Sequence, residues 1–251
     1  MQNKISLRQI GYELKVLINN WYIPFFGLIF PTLMVILLSF AVLNDVPEKY
    51  LPLARANMVL NFSPMIILAI QLLGHGSIYS QELEKNIPLR LELFGISKKS
   101  SIKAKLITQS ILSTFALIIF YLITLAALRF EQTTAIRLLA IFLILSALSI
   151  VLFALAHSIC LIIRKFNASY AVLMAIYFSI MILSGMMGIP SEKLPIPFEF
   201  ISRLIPFSYF QSDIRKFWEG KPMNFAPFIQ AFIFFSAVTG IILIFALKRK
   251  D

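Results

Sequence analysis

Hydrophobic positions along this 251-residue chain gather into six runs, 21–43, 58–80, 106–128, 138–163, 169–189 and 225–247, and none contains Lys, Arg, Asp or Glu. A helix needs about 20 mostly apolar residues to cross the hydrocarbon of a bilayer. Strands of a closed barrel are about half that length and alternate in polarity. The runs therefore predict six transmembrane helices and an all-α polytopic membrane protein, one transmembrane domain over 1–251. The first run is too long for the core of a cleaved leader, and "LNDVPEKY" after it offers no small-residue cleavage pattern, so it is expected to stay as a span.

Polarity returns in three informative places. Around 1–20, Leu7, Ile10, Leu14, Leu17, Ile18 and Trp21 recur at helical spacing while Lys4, Arg8, Glu13 and Lys15 fall elsewhere on the wheel. That pattern predicts an amphipathic entry helix lying in the headgroup boundary. The segment 81–105 concentrates charge, and "YSQELEKNIPLRLELFGISKKSSIKAK", residues 79–105, holds six Lys/Arg and three Glu. Pro88 suits the first turn of a short helix, Gly95 a left-handed cap, and Ser97 the N-cap of a helix running through Lys98, Lys99, Lys103 and Lys105 into the third run. Such a helix over 98–128 is about 46 Å long against about 30 Å of hydrocarbon, so its first turns must project from the membrane. The connection 190–224 is too apolar to stay in water, and prolines at 190, 195, 197 and 206 forbid one continuous helix. Half-helices or re-entrant pieces are expected there, with their backbone buried in protein, followed by a helix over 209–219 capped by Ser208.

Charged residues are 14% of the chain and hydrophobic residues 59%, with a formal charge of +11. No basic cluster is interleaved with stacking aromatics on a soluble domain, so nucleic acid is not an expected partner. With six spans, both termini share one side with 81–105 and 164–168, and that side carries 14 of the 23 Lys/Arg. Of the other nine, five lie in 190–224 beside four acids. Because Lys and Arg near helix ends mark the cytoplasmic face, the termini and 81–105 are predicted to be cytoplasmic.

Few residues offer chemistry. Asp45, Asp213 and Asp251 all lie outside the runs, leaving no embedded Asp cluster to hold a metal. Ser184 and either His75 or His157 would be a nucleophile and base separated by much of the bilayer. Cys160, the single cysteine, reads as a packing residue. "GISKKS" at 95–100 has the wrong spacing for a phosphate-binding loop, so ATP, if used, is bound by another chain. Neutral polar residues within the runs, among them Asn61, Gln71, His75, Ser179 and Ser184, are candidates for a translocation path, or equally for interhelical hydrogen bonds.

The order of these features resembles the membrane subunit of an ABC-2-type (type V) ABC transporter. The likeness rests on the entry helix, six spans, the acidic "QELEKN" followed by "PLRLELFGISKKSSIKAKLI", and the Pro-rich "GIPSEKLPIPFEFISRLIPFSYFQSDIRKFWEG" before the last span. It departs where the family often has Gly-Thr after the acidic pair, because Lys85, Asn86 and Ile87 follow Glu84 here. The resemblance implies a non-enzymatic permease of a bacterial plasma membrane, with ATP and Mg held by a separate nucleotide-binding ATPase and a second permease, identical or paralogous, alongside. It implies a coupling helix at 86–95, ended by Gly95, whose Leu91, Leu93 and Phe94 enter a groove of the ATPase. Glu82, Glu84, Arg90, Glu92, Lys98 and Lys99 would then pair with the ATPase surface. The second and fifth spans would face the path. Neutral polar and aromatic spans suit an exported amphipathic peptide best, otherwise a drug or lipid. A small intramembrane enzyme, or a non-catalytic scaffold or immunity protein, remain as other classes.

Overall fold

The computed structural model describes residues 7–187 and 190–249, so Lys4 of the entry helix lies outside the described residues. Among the described residues ten α-helical elements follow in order: α1 (Leu7–Asn19), α2 (Tyr22–Val42), α3 (Glu48–Glu84), α4 (Ile87–Leu93), α5 (Lys98–Leu128), α6 (Ala135–Ile163), α7 (Phe166–Leu183), α8 (Ile196–Arg203), α9 (Asp213–Trp218) and α10 (Ala226–Lys248). Six of them, α2, α3, α5, α6, α7 and α10, are long and apolar enough to cross a membrane. The protein is an all-α polytopic membrane protein.

These spans do not share burial equally. In the most apolar 18 residues of α3, 83% are buried, against 17% for α10. The bundle is thus assembled around α3, and the other spans turn their outer faces to lipid. A central helix must keep its backbone hydrogen bonds satisfied without water, yet α3 contains Pro64, which has no N–H to offer the carbonyl of Leu60. The Ser63 hydroxyl donates to that carbonyl at 2.8 Å. Four residues later the helix widens into a π turn over Leu68–Gly74 before resuming at His75.

Other helix ends follow local chemistry. The Ser97 hydroxyl accepts from the Ser100 N–H at 3.2 Å and starts α5, while Arg129, in a left-handed conformation, ends it. An orphan carbonyl at that end, Leu128 O, accepts from the Arg55 guanidinium at 2.9 Å, which places a cation at the negative end of the helix dipole.

Several boundaries differ from expectation, the second span running over Glu48–Glu84 rather than 58–80. The fifth span stops at Leu183 rather than 189, because Ser184 and the left-handed Gly185 turn the chain. In place of a helix over 209–219 there is a 3₁₀ turn, Pro206–Phe210, and then the shorter α9. The Ser208 hydroxyl is engaged by the Ser202 and Ile205 carbonyls, both at 2.6 Å, and so does not cap. The segment 190–224 docks on the α5–α6 turn, where Trp218 Nε1 donates to Glu131 O at 3.3 Å and the Thr133 hydroxyl to Trp218 O at 2.8 Å.

Helix α3 packs against α7 at Gly76, where an added Cβ would overlap Leu173 Cδ1. Gly76→Ala should therefore lower stability by about 1–3 kcal/mol. Gly11→Ala, at an open position of α1 with nothing within 4 Å, should leave stability unchanged or raise it by about 0.5–1 kcal/mol. Thermal unfolding midpoints of the two purified variants in one detergent test the contrast.

Candidate functional site

Beyond α3 the chain leaves the bundle, forms α4 and re-enters as α5. Asn86, left-handed at φ 53°, makes the first corner, and Pro88 sits in the first turn of α4. Gly95 at φ 84° makes the second corner, a conformation that costs a residue with a Cβ. There the Gly95 N–H donates to Glu92 O and the Ile96 N–H to Leu91 O, both at 3.0 Å, closing α4 with a Schellman-type pair. A salt bridge between Glu92 and Lys98, 2.7 Å long, spans the second corner. On the outer surface of this elbow Leu93 and Phe94 are 82% and 84% exposed and Leu89 is 54% exposed, while Arg90 and Lys99 are also open.

Several residues grouped with that surface by sequence face elsewhere. Leu91 is half-buried and lines a cavity of about 190 Å³ together with Tyr79, Leu83, Leu89, Ile96 and Ile102. The Glu84 carboxylate accepts from the Phe166 N–H at 2.9 Å, which places it at the positive end of α7. Glu82 points inward, with its Oε1 2.6 Å from Lys105 Nζ. Burial decides this, since the Glu82 and Lys105 side chains are 13% and 4% exposed. Neither Leu91 nor Glu82 thus belongs to the open face of the elbow.

Lys105 has a second partner that the sequence pattern had assigned to the polar side of α1. Glu13 Oε2 lies 2.8 Å from Lys105 Nζ, and the Glu13 side chain is 6% exposed. One ammonium thereby joins α1, α3 and α5 at the entry-helix end of the bundle. Two short charge-assisted bonds offset the desolvation of Lys105, whereas an unpaired charge at that depth would be strongly unfavourable. The signal that could have revealed it is periodic: Ser101, Lys105, Gln109 and Ser113 recur every four residues and are all buried on one stripe of α5.

The same stripe continues as a neutral polar column. Gln109 Nε2 and His75 Nδ1 are 3.1 Å apart, and His75 Nε2 lies 3.3 Å from His157 Nδ1 on α6. Tyr79 stacks on His157 with ring centroids 4.3 Å apart. One turn further, Gln71 Nε2 donates to the Ser113 hydroxyl at 2.9 Å and the Ser149 hydroxyl at 2.6 Å. The column therefore bonds α3, α5 and α6 to one another inside a single subunit.

The five path candidates do not come together. Gln71 and His75 are enclosed in that column, and Ser179 is exposed on α7. Asn61 lines a cavity of about 460 Å³ beside Asn57, Gln211 and Arg215. Ser184 is buried in the turn after α7, where its hydroxyl has no hydrogen-bond partner among the described residues. With both His75 nitrogens engaged by Gln109 and His157, a Ser184–His75 dyad is not formed. Among the described residues no group of three or more His, Cys, Asp or Glu is placed to hold a metal.

Six spans, an elbow with exposed Leu93 and Phe94 between the second and third, and an apolar hairpin docked before the sixth are the setting for one decisive comparison. The sequence model for ABC-2 type transporters matches residues 10–218, from the entry helix through α9. The chain belongs to the ABC-2 type transporter family. It is a transmembrane subunit of an ABC transporter. No curated relative matches it significantly. In this ABC-2 chain the elbow and the Lys105 junction are contiguous, since α5 begins at Lys98 and reaches Lys105 two turns later.

Removing the ammonium tests that junction. Lys105→Met leaves two buried carboxylates unpaired and should cost about 3–5 kcal/mol. The triple variant Glu13→Gln, Glu82→Gln, Lys105→Met removes all three charges and should recover most of that loss. Unfolding midpoints of the two variants, compared with the unmodified chain, check both.

Proposed function

We propose that this subunit forms the translocation path of an ATP-driven exporter and receives its power stroke through α4. The observation that carries the proposal is the elbow itself: Leu89, Leu93 and Phe94 are held in water by two fixed corners, where exposed aliphatic and aromatic groups are favourable only if another surface covers them. A short helix presenting such anchors, with Arg90 and Lys99 at its rim, fits a groove on a nucleotide-binding ATPase. Glu84, Glu92 and Lys98 hold the elbow in shape from behind. ATP and Mg are bound by the ATPase, and a second permease, identical or paralogous, completes the path.

Placement of 14 of the 23 Lys/Arg on the side of the elbow supports cytoplasmic termini and an elbow facing the compartment that supplies ATP. Export is then transfer away from that side. Neutral polar groups in the spans support an amphipathic cargo over a small ion, an amphipathic peptide first and a drug or lipid otherwise. Asn61, in the cavity near the hairpin, and Ser179, on the outer face of α7, are the path candidates open to a partner surface or to cargo, whereas Ser184 is enclosed in the turn after α7. Gln71 and His75 would act by holding the path-forming helices together.

Leu93→Asp with Phe94→Asp should abolish stoichiometric co-purification of a P-loop ATPase in mild detergent, with membrane insertion and yield unchanged. An unmodified chain that purifies alone, or a double variant that retains its ATPase, would sink the coupling assignment.

A further inference from the structure

A cavity of about 320 Å³ opens on the flank of the bundle between the starts of α2 and α7 and the adjoining half of α3. Its walls come from Asn20 and the start of the first span, from the second span around Ser77, and from Phe166 and Tyr170 of the fifth. It is separate from the coupling elbow, the polar column and the cavity beside Asn61.

Polarity changes across this cavity in one direction. Passing from the surface into the membrane along α2, the wall goes from Asn20 and Tyr22 to Ile23 and Phe26. Along the antiparallel α3 it goes from Gln81 and Ser77 to Leu73 and Ala69, so both spans are polar at the same end. None of the lining residues is charged. Asn20 Nδ2 reaches the Ser77 hydroxyl at only 3.5 Å, and neither Gln81 nor the Tyr22 and Tyr170 hydroxyls make a side-chain hydrogen bond among the described residues. The floor lies on the π turn Leu68–Gly74, an irregularity that recurs at functional positions of helices.

The structure assigns this cavity as a binding site for a single-tailed amphiphile with an uncharged, hydrogen-bonding head. The head meets Asn20, Gln81, Tyr22 and Tyr170, and the tail lies along Phe26, Leu73 and Ala69. Its volume is at the lower end of small-molecule sites, enough for one narrow tail. An ionic head would enter a site with no counter-charge to offset its lost hydration. Two sources share this chemistry, a resident bilayer lipid and transported cargo, and the site stands whether or not the ATPase assignment does.

The test uses the full chain with its co-purifying partners in nanodiscs and a monoacylglycerol that carries a diazirine in its tail. Cross-links should concentrate on peptides containing Phe26, Leu73 and Tyr170. Unlabelled monoacylglycerol should compete at least tenfold better than a fatty-acid anion of equal length. Ser77→Leu, which fills the cavity, should reduce labelling at least tenfold. Gln81→Leu, which removes a head partner without filling the tail channel, should weaken competition about fivefold, the value of one hydrogen bond. Monodispersity and unchanged unfolding midpoints establish that both variants are folded. Labelling that falls when ATP is supplied identifies cargo, and labelling indifferent to ATP identifies a resident lipid; both are the assigned site. Labels spread equally over the lipid-facing Leu33 and Leu37, or undiminished in Ser77→Leu, would overturn it. So would quantitative disulfide formation between Phe26→Cys copies without amphiphile labelling, which would place a second permease over the cavity.

Discussion

A single buried ammonium organises one end of this protein. Lys105 has no exposure to speak of and two carboxylates within 3 Å, and each carboxylate comes from a different helix. The cost of desolvating three charges is offset only while all of them stay together. The entry helix, the end of the central span and the beginning of the third span must therefore move as one piece or pay the full penalty of separation. Just outside this junction the same two spans carry the elbow, so the elbow is mounted on a rigid three-helix base rather than on a loop.

Deeper in the bundle the linkages change character. Hydrogen bonds among Gln71, Ser113, Ser149, Gln109, His75 and His157 join three spans without a formal charge. Each is modest within a membrane, of order 1 kcal/mol, so the neutral column can rearrange at lower cost than the ionic junction. The central helix adds its own adaptability. Pro64 removes one backbone bond and the π turn shifts the register of those that follow. Rigidity is thus graded along α3, from the Lys105 junction toward the hairpin.

Much of this was legible in the sequence, because lipid imposes simple rules. Charge-free runs located all six spans, Pro88 and Gly95 fall where the short helix α4 begins and ends, and Ser97 falls where α5 starts. What escaped were pairings between residues far apart in sequence. Glu13 sits on a helix whose amphipathic pattern puts it with the cations, and only the fold brings it to Lys105, 92 positions away. Gln71 and His75 were visible as polar residues at depth, but whether they line a path or bind neighbours depends on helix rotation, which hydropathy does not encode. The shortened α7 and the 3₁₀ turn at Pro206–Phe210 escaped for a related reason: Gly185 and Ser208 settle them through hydrogen bonds whose partners local pattern does not name.

Helix α5 contains neither proline nor glycine between Lys98 and Leu128. An uninterrupted rod of about 46 Å joins the elbow to the turn where Arg55 and the hairpin are anchored. Rods transmit angle as distance: pivoting such a helix by about 5° about one end carries the other through about 4 Å. The far anchor is of another kind: one guanidinium on a terminal carbonyl, two hydrogen bonds at Trp218, the Glu131 N–H on Pro52 O, and the packed rings of Tyr121, Phe130 and Trp218. The molecule is geared, with an ionic clamp at the charged end and a long arm seated by ring packing and single hydrogen bonds beneath the hairpin.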